Sequence, residues 1–170
     1  GIKRVVMHEK LTNLRPVIFL QFAHGAPRTE VWRGLEGASI FQTGCGKIVV
    51  AVSEDIDPES VDAVLWSLAY RSNPVEDVHI VPNRGGVQGA QYGSKKTDSG
   101  LLIDATLKGP MPPLALPKRE YMENARKIWD ELGLPPLTVN SPWHGYSLGD
   151  WTEVWENFAK AAIAGDWEAN

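Results

Sequence analysis

Two apolar runs constrain this chain of 170 residues more than anything else in it: Val17-Ile18-Phe19-Leu20-Gln21-Phe22-Ala23 and Lys47-Ile48-Val49-Val50-Ala51-Val52. A half-solvated strand alternates apolar and polar side chains. A short, nearly continuous apolar run rich in β-branched residues reads instead as a strand buried on both faces. Such a strand needs a covering layer on each side, and the intervening segments supply it. Thr29 is placed to cap a helix through about Phe41, within which Gly34 and Gly37 each cost about 1 kcal/mol relative to Ala. After the second run, Asp57 reads as an N-cap and Pro58 as the first helical residue, where a missing N–H costs nothing. Val61, Val64, Leu65 and Leu68 then fall at i, i+3, i+4 and i+7, which predicts one buried helical face. Asn73-Pro74 ends that element. Ile2–Met7, Val78–Val81 and Leu101–Asp104 read as further strands. The alternation predicts an α/β fold, a small mixed sheet flanked by helices and at least partly parallel.

From Gly109 the character of the chain changes. Pro110, Pro112, Pro113 and Pro117 impose an extended linker. A helix is predicted from about Pro117 to Leu132, with Tyr121, Ala125, Ile128, Trp129 and Leu132 on one face and Gly133 as its stop. A last helix opens on Asp150 with Glu153 three residues on, similar to a capping box. Trp151, Val154, Trp155, Phe158 and Ala162 form its apolar stripe. Two parts are therefore expected, an α/β domain over 1–108 and a proline-rich linker with a helical tail over 109–170. A tail this rich in tryptophan docks on its own domain or reaches a neighbouring subunit.

Composition narrows the function classes. Apolar residues make up 43% and charged residues 22%, so the chain is globular. A domain of this length buries roughly 70% of its unfolded surface. Lys plus Arg is 17 and Asp plus Glu is 21, a formal charge of −4 that argues against a nucleic-acid binder. Cys45 is the single cysteine, which rules out an internal disulfide or a cysteine-built zinc site and fits a reducing compartment. No apolar stretch approaches the ~20 residues that span a membrane. Gly1-Ile2-Lys3-Arg4 has no signal-peptide core, so a cytoplasmic location is expected. The chain does not open on methionine and reads as a fragment, a processed product or a tag-cleaved product.

Several motifs carry a chemical reading beside a plainer one. Gly145-Tyr146-Ser147-Leu148-Gly149 matches G-x-S-x-G, which would make Ser147 the nucleophile of a serine hydrolase. No buried strand precedes it and no histidine follows it, so a turn leading to Asp150 is the better reading. The glycines at 85, 86, 89 and 93 and the Lys95-Lys96 pair hint at a phosphate cradle but lack the P-loop spacing. The long loop from Pro82 to Gly100 is still expected to be functional, since ligands in open α/β sheets bind beyond the carboxyl ends of strands. Glu54, Asp55 and Asp57 have the oxygen chemistry for Mg²⁺. Capping and favourable charge at a helix N-terminus account for them without a metal. His8, His24, His79 and His144 show no zinc-ligand spacing. Cys45 lies between Gly44 and Gly46, where small neighbours let a ligand approach its backbone or simply permit a tight turn.

Val49-Val50-Ala51-Val52-Ser53-Glu54-Asp55-Ile56-Asp57-Pro58, then Val64-Leu65-Trp66-Ser67-Leu68-Ala69-Tyr70-Arg71, then Val78-His79-Ile80-Val81-Pro82, resembles the UbiD-type decarboxylases. Gly100-Leu101-Leu102-Ile103-Asp104-Ala105-Thr106-Leu107-Lys108 is similar to their closing strand, and the two C-terminal helices are similar to their tail. The resemblance implies the C-terminal domain of a lyase that reversibly decarboxylates aromatic, heteroaromatic or α,β-unsaturated acids with prenylated FMN, Mn²⁺ and K⁺. It implies a homo-oligomer assembled through the C-terminal helices, a barrel portion of the same enzyme upstream, and a flavin prenyltransferase as cofactor supplier. The family's Glu-Arg-Glu catalytic set lies on that barrel. No catalytic residue, cofactor ligand or metal ligand is therefore assigned here, and the isolated chain is expected to be inactive. The resemblance places Gly44 and Cys45 on one pocket-facing loop and Gly86, Val87 and Gln88 on another, with small residues leaving room for a bulky ring and Gln88 free to hydrogen-bond a ring substituent. The alternatives are a separate non-catalytic subunit of a multi-subunit aromatic carboxylase, or the hydrolase built on Ser147.

Overall fold

The computed structural model describes residues 1–7, 15–42, 45–85, 97–109, 111, 117, 119–137 and 153–166. The chain gathers into two compact units, Gly1–Lys108 and Gly109–Asn170. In the first, the elements in chain order are β1 (Ile2–Met7), β2 (Arg15–Phe22), α1 (Arg28–Ile40), β3 (Cys45–Ser53), α2 (Val61–Arg71), β4 (Val78–Gly85) and β5 (Thr97–Ala105). The five described strands form one mixed sheet in the order β1-β2-β3-β5-β4. β2, β3 and β5 run parallel at its centre, and β1 and β4 are antiparallel edges.

The two apolar runs are the adjacent strands β2 and β3, and both of their faces are covered as their composition demands. Ile18, Leu20, Phe22, Val49, Ala51 and Leu102 meet Val31 and Leu35 of α1 in one core cluster. Phe19, Val50 and Val52 belong to the other face and are also buried. Each such side chain taken fully out of water contributes roughly 1.5–3 kcal/mol. α1 opens on Pro27, with φ −56° and ψ 137° and no side-chain cap, so Thr29 sits inside the helix rather than capping it. Gly34 has a packing reason: a Cβ there would lie 2.7 Å from Cζ of Phe22, so a larger residue would push helix and sheet apart.

Three expectations are corrected. Asp57 does not cap α2. Its carboxylate accepts from Glu59 N at 3.0 Å in a preceding turn, and Ser60 is the cap, accepting from Ala63 N at 3.3 Å. The buried face of α2 is Ala63, Val64, Trp66 and Ser67, while Val61 and Leu65 are exposed. Small Ala63 and Ser67 let the helix approach the sheet, and Ser67 Oγ donates to Ala105 O at 2.7 Å. Finally, β4 and β5 extend to Gly85 and back from Thr97 as an antiparallel hairpin. β4 therefore ends, and β5 begins, at the amino ends of the parallel strands, opposite to the carboxyl-end site expected from the sequence, and residues 86–96 lie outside the described residues.

In the second unit, α3 (Arg119–Glu131) ends at Gly133, whose φ of +62° suits a residue without a Cβ. Trp129 Nε1 donates to Pro135 O at 2.7 Å and ties the helix to the segment that follows. Tyr121 and Leu132 of its predicted apolar face are exposed. α4 (Glu153–Ala164) carries Trp155 against Phe158, with Val154 and Phe158 exposed. Asp150 and Trp151 lie outside the described residues. Among the described residues, no helix is long and apolar enough to cross a membrane.

Candidate functional site

The ends of the sheet differ in character. At the carboxyl ends of β2, β3 and β5, charged side chains are consumed by one another. Asp55 takes both Arg71 nitrogens, at 2.9 and 2.5 Å, and the guanidinium lies 5.0 Å over the Trp66 ring. Burial works to raise the Asp55 carboxyl, but the hydrogen bonds and charge of Arg71 outweigh it and hold the group below its usual value. Glu54 accepts from the His24 backbone N–H at 3.1 Å, which lowers its carboxyl, and lies 3.5 Å from the Lys3 ammonium. Arg4 bridges Asp57 at 3.1 Å and Glu59 at 2.6 Å. Gln21 Nε2 donates to the carbonyls of Glu54 and Ile56 at 3.2 and 2.9 Å, holding the acidic turn beneath β2. Each carboxylate considered for Mg²⁺ is thus engaged by a cation or a backbone donor. Among the described residues, no group of three or more His, Cys, Asp or Glu is arranged to hold a metal.

A second charged cluster closes the same end. Asp77 and Asp104 are almost fully buried. Arg28 lies 3.0 Å from Asp77, and Lys108 lies 3.3 Å from Asp77 and 3.5 Å from Asp104. Lys108 Nζ also donates to the carbonyls of Arg71, Asp104 and Thr106. Asp104 accepts from Thr106 N and Oγ1 at 3.0 and 2.6 Å. Two buried anions meet two cations, which is what burial of charge requires. This cluster joins α1, β4 and β5, and its role is to hold them together.

The opposite end carries the described residues that flank the loops singled out by the sequence. Cys45 opens β3 and pairs with Arg15 at the start of β2, while Gly85 closes β4 opposite Thr97 at the start of β5. β5 alone separates β3 from β4. At about 4.8 Å per strand, the approaches to the two candidate loops stand about 10 Å apart. Gly44, Gly86, Val87 and Gln88 lie outside the described residues, as do Ser147 and its G-x-S-x-G surroundings. Cys45 itself belongs to the core cluster beside α1, with its Sγ 4.0 Å from Gln42 Oε1.

Two features there were not recognised in the sequence. Gly46 has φ +62°, and a Cβ on it would lie 2.5 Å from Ala38 O and 3.0 Å from Ser39 Cα. Only glycine lets β3 begin this close to the last turn of α1. Lys47 Nζ also lies 2.6 Å from Asp98 Oδ2, joining β3 to β5 one step inside the loop end. A lysine heading an otherwise apolar run was the available signal for it. Among the described residues at this end, Lys47 is engaged by Asp98 and Cys45 lies in the core cluster.

The family model for the 3-octaprenyl-4-hydroxybenzoate carboxy-lyase C-terminal domain matches residues 6–105, from the end of β1 to the end of β5. The chain belongs to this UbiD C-terminal domain family. This UbiD domain is 30% identical over 89 residues to a phenolic acid decarboxylase of Sedimentibacter hydroxybenzoicus, covering 50% of this chain and 18% of the relative. It is 34% identical over 59 residues to a phenolic acid decarboxylase of Streptomyces sp. (strain D7), covering 34% of this chain and 12% of the relative. The chain thus spans less than a fifth of either relative. Its fold matches the closed form of the Sedimentibacter hydroxybenzoicus vanillic acid decarboxylase with a TM-score of 0.57 at 22% identity, over 77% of this chain and 28% of that one. It matches the UbiD-class enzyme HmfF from Pelotomaculum thermopropionicum, solved with FMN, with a TM-score of 0.54 at 20% identity, over 65% of this chain and 25% of that one.

Proposed function

We propose that this UbiD domain is the assembly and pocket-closing part of a carboxy-lyase acting on an aromatic, heteroaromatic or α,β-unsaturated acid. The observation that carries the reading is the family match over residues 6–105, together with a fold that brings the approaches to both candidate loops to one end of the sheet. Prenylated FMN, with Mn²⁺ and K⁺, would act on a part of the enzyme outside these residues. When bound, the flavin would supply an electron sink for the loss of the carboxylate as CO₂. This chain contributes walls rather than reacting groups. The small residues Gly44 and Gly86 would leave width for a ring, and Gln88 would meet a polar ring substituent. An apolar wall here also raises the energy of a bound carboxylate relative to neutral CO₂, which favours its loss. The tail helices α3 and α4 would make subunit contacts, and a flavin prenyltransferase would supply the cofactor in the cytoplasm.

The test uses the complete polypeptide carrying these residues, purified from cells that co-express a flavin prenyltransferase and offered a panel of such acids. Cofactor-loaded protein that releases CO₂ from at least one of them is expected. Loaded protein inert across the panel would contradict the reading. Gln88→Leu should shift preference away from ring-hydroxylated acids, and an unchanged ranking would remove Gln88 from the pocket.

A further inference from the structure

At the end of the sheet that carries the loop approaches, β3 and β5 part from each other. Their ladder runs from Val52↔Ala105 down to Ile48↔Leu101. One residue further, that register would set Lys47 against Gly100, and among the described residues no such pair forms. Past that last rung each strand stays with its outer neighbour. Cys45 pairs with Arg15 of β2, while Gly100, Asp98 and Thr97 pair with Val81, Arg84 and Gly85 of β4. The sheet therefore forks here, with β1, β2 and β3 on one arm and β5 and β4 on the other. The first arm is packed closely on α1, because Gly46 leaves no room for a Cβ beside Ala38 O. The second is an edge hairpin. Nearer the middle of the sheet, Trp32 of α1 stacks on His79 of β4 at 3.9 Å and holds the hairpin there. Its far end, past Val81 and Gly100, reaches the fork through a register shift in β4.

A side-chain contact spans the fork. Lys47 Nζ lies 2.6 Å from Asp98 Oδ2, and Asp98 Oδ1 accepts from Ser99 N at 2.8 Å. The carboxylate is thus oriented by its own backbone where it meets the lysine. We infer that Lys47 and Asp98 are positioning residues of the proposed carboxy-lyase, their ion pair closing the fork and so fixing the spacing of its two substrate-facing approaches. The inference rests on the decarboxylase reading above, and adds to it a pair that acts on substrate fit through the arms it joins. Exposure separates this role from a stabilising one. The two side chains are exposed by 44% and 35%, and an ion pair that open adds little to folding stability. Position is less forgiving, since a misplacement of about 1 Å can cost about 100-fold in rate. A pair that matters little to the fold can therefore matter to the reaction.

The test uses the complete, cofactor-loaded polypeptide carrying these residues, with Lys47→Met, Asp98→Asn and the two combined. Amide hydrogen exchange needs no turnover. Each single variant should exchange about tenfold faster at Asp98, Ser99 and Gly100, with Val49–Val52 unchanged. The thermal midpoint should stay within about 2 °C of wild type. On an acid that the wild type decarboxylates, KM should rise about fivefold or more while kcat changes less. The combined variant should be no worse than either single one, since both remove the same link. Unchanged exchange, an unchanged KM, or effects that add in the combined variant would overturn the inference. So would a midpoint lowered by more than about 5 °C, which would assign the pair to stability. A wild type inert on every acid would instead contradict the decarboxylase reading, and exchange alone would then decide whether the pair closes the fork.

Discussion

Replacing Gly46 with alanine tests how β3 starts beside the last turn of α1, and Gly37→Ala provides a matched control in the same neighbourhood. At Gly46 the added Cβ is penalised twice. The left-handed backbone costs an L-residue roughly 1–2 kcal/mol. The contacts at 2.5 Å with Ala38 O and 3.0 Å with Ser39 Cα are with backbone, which gives way only if the last turn of α1 shifts. Overpacking of that kind costs roughly 1–3 kcal/mol. The variant should therefore lose about 2–5 kcal/mol in all. At Gly37 the Cβ meets nothing within 4 Å in a helix interior, so alanine should gain about 0.5–1 kcal/mol by lowering the entropy lost on folding. The assay is urea unfolding at a protein concentration low enough that association does not contribute. The midpoint should move down for one variant and up for the other, with the slope unchanged. A Gly46→Ala cost below about 1 kcal/mol, or a destabilising Gly37→Ala, would refute the packing argument at this junction.

Two other substitutions probe the charged end of the sheet. Arg71→Met removes both hydrogen bonds to Asp55, and should cost about 2–3 kcal/mol near neutral pH, less than a fully buried pair because Asp55 is partly solvated. The Asp55 carboxyl is lowered in the folded state, so its contribution is complete above the unfolded value near 3.9 and fades as pH falls through the folded one. The stability gap between wild type and Arg71→Met should therefore narrow below about pH 4, and a gap constant under acid urea titration would count against the pair. Lys108→Met leaves Asp77 with Arg28 as its remaining cation and Asp104 without a nearby one, and should cost about 3 kcal/mol in the same assay. A loss under about 1 kcal/mol would mean that water, not Lys108, balances those carboxylates.

The two central strands were legible because β2 and β3 are buried on both faces and their composition shows it. What escaped the sequence depended on the approach of distant elements. The α2 pattern Val61-Val64-Leu65-Leu68 is a valid apolar stripe, yet small Ala63 and Ser67 let a different face reach β5. Asp57-Pro58 carries a strong helix-start signal, but the chain makes one more turn before Ser60 caps the helix. Gly34 looked like a helix weakness and is a point of close contact with Phe22. The direction of β4 was the costliest miss, because a hairpin with a long loop carries no short turn signal. Correcting it moves the candidate site to the other end of the sheet, and there the same correction brings the approaches to both loops together. The Lys47–Asp98 link joins residues from separate elements, which no local spacing reveals.

The central claim is that this UbiD domain assembles subunits and shapes a pocket, while the cofactor chemistry belongs to the rest of the enzyme. Native mass spectrometry with a visible absorption spectrum tests it most directly, on the 170-residue chain purified from cells co-expressing a flavin prenyltransferase. A colourless protein at a multiple of 18.7 kDa is expected. Prenylated flavin bound to the chain would contradict the claim, because these residues would then build a cofactor site of their own.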